Sequence, residues 1–408
     1  MFILMLVILS YSFIRLNKSP VFLLPTFYMS VCCYTYIGTE FLDFAKEVPF
    51  NFYDFISKEY LYRSYGIFIL AASAFITGTL LIKDNRTYSR ANQPTSSYNR
   101  RNRNNIYIIF LYLFLIVLLH LGNGFGNLYY REGYTLDGAG LSSARILYTM
   151  ILPLLCLCLP FYKGSSTKFI LILLLYLLVL GTSSRNLIMI PACYFVGSYI
   201  RYRKINFISV VFSLLAVMFS VALVMETRNN IIQGVIPNIN YLFDNGIDLT
   251  FIGLAINYLT SFSVFATALT IQDHSFDSIS FITSLNPLPS SYLNIEYMVQ
   301  VQKLNENAPF PALGTLALSG NIAIFIYYFL SGMIWKFLYN YFEKKWYPMS
   351  IFISMLFILF TILSTQYNLR GATRLLYYLV FLGATIKFMF ILRYNLNLML
   401  LSSSKNSH

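Results

Sequence analysis

Apolar residues along this chain come in long unbroken blocks. They neither alternate with polar residues nor recur as a narrow helical stripe. The blocks fall at 2–14, 20–38, 64–82, 106–121, 146–162, 169–181, 187–200, 205–225, 316–335, 349–363 and 375–392. Runs of this kind mark helices that cross a bilayer, where each backbone N–H and C=O must be satisfied inside the helix. The pattern predicts an all-α, polytopic integral membrane protein. Residues 1–408 form one transmembrane domain with about eleven transmembrane helices, twelve at most. Several blocks fall short of the ~20 residues of an upright span, so neighbouring helices, snorkelling ends or local thinning must make up the difference. The run 2–14 has no basic flank and no small-residue cleavage site, and reads as a first helix.

Two connectors break this rhythm. Residues 83–105 carry Arg86, Arg90, Arg100, Arg101 and Arg103 among Ser, Asn and Gln, and predict a basic, disordered cytoplasmic loop. Residues 226–315 form a large loop of about ninety residues on the opposite side. Within it, 251–271 is apolar enough for a twelfth span. A span there would reverse every later helix and put Lys336, Lys344, Lys345 and Arg393 outside. The expected element is an amphipathic helix lying in the membrane interface and roofing a site. Its stripe is Phe251, Leu254, Tyr258, Phe262, Phe265 and Leu269, with Thr260, Ser263, Thr267 and Thr270 opposite.

Charge fixes the orientation. Only 11% of residues are charged, against roughly a quarter in a soluble domain. With the N-terminus outside, 19 of the 29 Lys/Arg but 2 of the 16 Asp/Glu fall on the cytoplasmic side. Lys and Arg resist translocation, so the large loop faces away from the cytoplasm. The net charge of +13 is thereby topological, and no nucleic-acid partner is needed to explain it. The five cysteines (Cys32, Cys33, Cys156, Cys158, Cys193) all sit in apolar blocks, and no disulfide is expected.

Six arginines run against that rule, at or near the outer face: Arg131, Arg145, Arg185, Arg228, Arg370 and Arg374. Arg185 sits in Gly181-Thr-Ser-Ser-Arg-Asn186, a tight turn between two short spans, and Arg228 follows a helix end directly. Arg370 and Arg374 are four apart and share a face if helical. Singly, each arginine is explained by snorkelling or by closing a helix end. As a set they suit a polyanionic ligand, because guanidinium is always charged and grips phosphate bidentately. Glu226, Asp244, Asp248, Asp273, His274, Asp277, Glu296 and Glu306 are candidate bases, densest at Asp273-His-Ser-Phe-Asp277. A histidine beside acids on a loop is also commonly a solvated surface residue. His120, at the end of an apolar helix, reads as interfacial.

The chain has no P-loop, GxSxG, HExxH or Asp-x-Asp pair near a membrane end. Glu40 and Asp43 come nearest to a metal pair and lack a third ligand, so neither metal nor cofactor is expected. A phosphate leaving group would then rely on cationic side chains.

The layout resembles the Wzy-type O-antigen (oligosaccharide repeat-unit) polymerases. The resemblance rests on Ser183-Ser-Arg-Asn186 in a tight outer turn and on Arg228 opening a large loop. It extends to Asn286-Pro-Leu-Pro-Ser290, Pro309-Phe-Pro-Ala-Leu-Gly314, Gly320-Asn321 and Arg370. Many relatives place a carboxylate directly after the glycine matching Gly314, where this chain has Thr315. What the resemblance implies is a metal-independent glycosyltransferase of the bacterial inner membrane. It would join undecaprenyl-pyrophosphate-linked oligosaccharide repeat units at the periplasmic face, with membrane lipid and a chain-length regulator as partners. Arg185, Arg228 and Arg370, with His274, would form the catalytic set, and Arg374, Arg131 and Arg145 would bind substrate. An O-antigen ligase and a lipid-linked oligosaccharide flippase are the alternative readings.

Overall fold

The structure, a computed structural model, describes the chain except residues 17–18, 84–100, 134–139, 203–206, 229, 247–248, 307 and 406–408. Most of the basic 83–105 loop thus lies outside the described residues. Helices α1 (Phe2–Leu16), α2 (Leu23–Glu40), α3 (Lys58–Leu81) and α4 (Arg101–Asn123) are followed by a short α5 (Phe125–Tyr129). Next come α6 (Ser142–Cys158), α7 (Ser165–Leu180), α8 (Met189–Tyr202) and α9 (Phe207–Arg228). The following segment holds α10 (Val235–Asn245), α11 (Leu249–Leu259), α12 (Ser261–Asp273), α13 (Ser278–Leu285) and α14 (Ile295–Val301). The chain closes with α15 (Ala312–Leu318), α16 (Asn321–Lys345), α17 (Tyr347–Gln366) and α18 (Leu369–Lys405).

Each of the eleven apolar blocks is helical, as the pattern predicts. Among the described residues, seven helices are long and apolar enough to cross a bilayer unaided, and a bent pair, Thr250–Leu259 with Ser261–Asp273, would make eight. Phe2–Leu16, Ser165–Leu180 and Val211–Thr227 are apolar but shorter. The expected eleven therefore divide into full spans and helices that need help from their neighbours. The block 316–335 is interrupted: α15 stops at Leu318, and Gly320, with φ of 105°, turns the chain into α16.

The bundle packs most closely where α3 crosses α16. A Cβ on Gly78 would stand 2.1 Å from the Phe329 carbonyl oxygen, and one on Gly332 would stand 2.3 Å from that of Phe75. Two glycines, one from each helix, thus let the backbones touch, the usual device where helices associate without a hydrophobic driving force. Around this crossing lie fully buried Tyr28, Tyr65, Phe68, Phe75, Tyr328 and Trp335. The Tyr28 hydroxyl donates to Ser364 Oγ at 2.7 Å and bonds the Tyr328 hydroxyl at 2.9 Å, so polar atoms in this core are matched.

Contacts between sequence-distant residues sort the helix ends into two levels. At one end the Tyr199 hydroxyl donates to the Leu16 carbonyl at 2.6 Å, and Arg201 donates to the Pro160 carbonyl. At the other end Asn238 Nδ2 donates to the Leu180 carbonyl at 3.0 Å, and the Ala312 N–H donates to the Tyr367 carbonyl at 2.8 Å. The 226–315 segment gathers at this second level, the loop end.

The bent pair α11–α12 corrects one expectation and upholds another. Its two helices meet at 50°. Near the bend, Gln366 Nε2 donates to the Leu259 carbonyl at 3.3 Å, and Thr35 Oγ1 donates to Ser261 Oγ at 3.2 Å. At the far end the Ser57 N–H donates to Gln272 Oε1 at 2.9 Å. Glu40, Ser57 and Gln366 all stand at the loop end of their helices, so both ends of α12 lie at one level. It is no twelfth crossing, and the later helices keep their direction. It is also not the amphipathic interfacial helix expected from its stripe, because every residue from Ser261 to Ile271 is buried.

Two facts explain that burial. The 41–57 connector covers one side, with Phe52 stacked on Phe262 at 5.4 Å and Tyr53 against Phe265 at 5.4 Å. Ser263, Thr267 and Thr270 donate to carbonyls of their own chain at 2.8, 2.8 and 2.7 Å, so the polar face needs no outside partner. The amphipathic helix of this segment is α10, which buries Val235 and Asn238 and exposes Ile236 and Phe243.

Candidate functional site

The six arginines all belong to the loop end, and they do different things. Arg131 is buried (5% exposed) and spends its guanidinium on main-chain and amide oxygens: Gly181 O at 2.7 Å, Thr182 O at 3.2 Å, Asn127 O at 3.3 Å and Gln233 Oε1 at 3.1 Å. Its own strand, β1 (Arg131–Glu132), pairs antiparallel with β2 (Ile232–Gln233). Arg131 therefore knots three connectors together. Arg145 Nε donates to the Gly122 carbonyl at 2.6 Å and ties the start of α6 to the end of α4.

The tight turn expected at 181–186 is present. Ser183 is buried with φ of 48°, its Oγ accepts from Asn238 Nδ2 at 3.2 Å, and a single 3₁₀ turn, Arg185–Ile188, leads into α8. Arg185 opens that turn and Arg228 ends α9. The side chains of both lie outside the described residues.

Arg370 is the most enclosed cation of the set, at 4% exposure. Its Nη1 donates to Thr283 O at 2.7 Å and Asn286 O at 3.0 Å, and its Nη2 donates to Leu288 O at 2.7 Å. Nε, also buried, meets no hydrogen-bond acceptor. One and two helical turns further along the same face, Arg374 Nη2 donates to Ser290 Oγ at 2.9 Å and the Tyr377 hydroxyl donates to the Leu285 carbonyl at 2.6 Å. Arg370, Arg374 and Tyr377 follow i, i+4, i+7 spacing, which puts them in one row. This row holds the end of α13 and the Asn286-Pro-Leu-Pro-Ser290 turn. The turn is itself closed by Asn286 Oδ1 accepting from the Leu288 N–H at 3.0 Å.

The acid-rich stretch lies on the other side of α13. Asp277 caps α13, its carboxylate accepting from the Ser280 N–H at 3.1 Å. Desolvation works to raise the Asp277 pKa, and the Ser280 donors outweigh it, leaving the carboxyl below the usual carboxylate range. His274 packs its ring on Phe310 at 4.5 Å, and burial pushes the imidazole below its ordinary value of 6.5 against an opposing pull from Asp273. A shallow pocket of about 230 Å³ opens beside them, walled by Phe276, Asp277, Phe281, Gln302, Phe310 and Thr315. Tyr377 had a sequence signal in its helical spacing from Arg370. Gln302 and the three phenylalanines had none, because separate elements bring them together. Among the described residues, no three His, Cys, Asp or Glu side chains gather as a metal site.

A bundle of apolar helices with a polar, arginine-bearing site at one end defines a multi-pass membrane protein that handles its ligand at the membrane surface. Its family follows from the sequence: the model of the O-antigen polysaccharide polymerase Wzy family matches residues 1–321, and the chain belongs to that family. No curated protein and no solved structure matches it. The match ends at the start of α16, so Arg370 and Arg374 rest on geometry alone.

Proposed function

We propose that the chain is an O-antigen polymerase of the bacterial inner membrane, joining undecaprenyl-pyrophosphate-linked repeat units at the periplasmic face. Family membership over residues 1–321 carries this reading. The gathering of the arginines with the large segment at one end supports it. An acceptor sugar hydroxyl attacks the anomeric carbon of the donor. The bond from that carbon to the pyrophosphate oxygen breaks, and undecaprenyl pyrophosphate leaves. Arg185 and Arg228 stand for the leaving-group clamp, since a bidentate guanidinium suits a pyrophosphate oxyanion. Arg370 holds the Asn286–Ser290 turn against α18, and Arg374 stands beside it at the rim. The proton of the attacking hydroxyl goes to His274 or to a neighbouring carboxylate. Polymerisation of synthetic lipid-linked units by the purified protein is the direct test, and failure with the matching repeat unit would overturn the reading.

Orientation has its own check. Alkaline phosphatase fused after Asn240 or Asn305 is expected to be active, and a fusion after Ser96 silent. Activity at Ser96 would reverse the topology and move the site to the wrong side of the membrane.

The base can be assigned by pH. A pKa below 6.5 leaves the His274 imidazole neutral at pH 7 and able to accept a proton. The rate is expected to hold level near pH 7 and to fall only as pH drops through that lowered value. His274→Gln should abolish this acidic limb along with most of the rate. An unchanged limb in the variant would assign the proton to a carboxylate.

A further inference from the structure

The pocket beside α13 is separate from the arginine row, which lies on that helix's other side. Phe276 stands at its rim, 47% exposed, with Phe281 set edge-on against it at 5.4 Å and 60°. That contact leaves one flat aromatic face turned outward. Below it, Phe310 is buried and closed over by the His274 ring. The polar wall is made by Asp277, by Thr315 and by the buried amide of Gln302, which Ser284 Oγ holds at 2.9 Å. The Ser280 N–H takes one lone pair of the Asp277 carboxylate, and a carboxylate has about four acceptor positions.

This combination selects among ligands. A carboxylate at the wall disfavours a phosphate, so the pocket does not suit the carrier's pyrophosphate. A lipid tail would gain nothing from an acid and a buried amide. A pyranose fits both halves: its C–H face lies on an aromatic ring, while adjacent hydroxyls donate to the carboxylate. The volume, about 230 Å³, is below the roughly 300–1,000 Å³ of pockets for drug-sized ligands, which suits one sugar ring. We infer that this pocket binds a single pyranose of the oligosaccharide, with Phe276 as the stacking face and Asp277 as the hydroxyl acceptor. The inference rests on the polymerase reading for its substrate class.

The test uses the full chain in lipid nanodiscs. The probe is the repeat-unit oligosaccharide released by mild acid from the lipid-linked intermediates of the protein's own host. Binding is followed by saturation-transfer NMR, and polymerisation is measured in parallel. Phe276→Ala is expected to weaken binding about threefold to tenfold, from the worth of an aromatic contact. Asp277→Asn preserves the helix cap, since Asn caps as well as Asp, and is expected to weaken binding about tenfold or more. Phe276→Leu keeps the apolar contact but loses the flat face, so it should behave like Phe276→Ala. Full binding with leucine would mean a lipid contact and would sink the proposal. If the wild-type protein polymerises while all three variants bind the oligosaccharide normally, the subsite is wrong and the polymerase reading stands. If the wild-type protein neither binds nor polymerises, both fall.

Discussion

Arg370→Ala is expected to remove long-chain product by about a hundredfold or more while the membrane bundle still assembles. The guanidinium makes three hydrogen bonds to main-chain oxygens, Thr283, Asn286 and Leu288, that alanine cannot replace. Hydrogen bonds to charged groups contribute about 1.5–3 kcal/mol each, so losing even one and a half of them accounts for the fall. The residues released are a turn and a helix end, not a span, and the protein should still reach the membrane in normal amount. Hydrogen exchange gives the independent readout: amides of 283–290 should open faster in the variant, and those of α3 and α16 should not. Arg370→Lys keeps a charge but presents a point donor in place of a fork, and should recover activity only in part. Arg374→Ala, which loses a single bond to the exposed Ser290 hydroxyl, should cost far less. Wild-type polymer from Arg370→Ala would show that the row on α18 has no part in the reaction.

The second large effect concerns the bundle itself. Gly78→Ala is expected to abolish most of the folded protein. The new methyl would meet the Phe329 carbonyl oxygen at 2.1 Å, and a backbone atom in the middle of a packed helix cannot swing aside. Overpacking in a core costs typically 1–3 kcal/mol and occasionally more. Here the strain falls on two backbones, so the upper part of that range or beyond applies. Gly332→Ala should do the same from the other helix. Gly66, on the same α3, has open space where a Cβ would go. Gly66→Ala is therefore the control, and is expected to be neutral or slightly stabilising through helix propensity. Thermal stability in detergent, read by size-exclusion chromatography, compares the three. If Gly78→Ala matched Gly66→Ala, the close crossing of α3 and α16 would be disproved.

Lipid makes some features easy to read and hides others. The apolar blocks were visible because a bilayer demands continuous runs, and the arginines because they stand where positive charge is depleted. The burial of α12 was hidden. Thr267 and Thr270 look like a solvated face in the sequence, and only their bonds to their own helix carbonyls let them sit inside. The roles of Arg131 and Arg370 were hidden for another reason. Each serves carbonyl oxygens 50 or more positions away, and a carbonyl carries no residue signature. The pocket beside α13 draws on four elements, so its residues share no spacing that a periodic pattern would expose.

The knot around Arg131 bears on how the protein is made. Its guanidinium lies 5% exposed, on oxygens supplied by residues 127, 181, 182 and 233. A cation is not buried until its partners are present, because the desolvation cost would go unmet. Residue 131 leaves the ribosome about a hundred positions before Gln233 does. During that interval α4 through α9 are inserted while Arg131 must stay hydrated, and the loop end of the half-built bundle must stay open. Closure waits for the strand at Ile232–Gln233 to arrive and pair. The last acceptor to be synthesised thus acts as a checkpoint in biogenesis: a chain truncated before residue 233 should remain loose at this end and be recognised by membrane quality control.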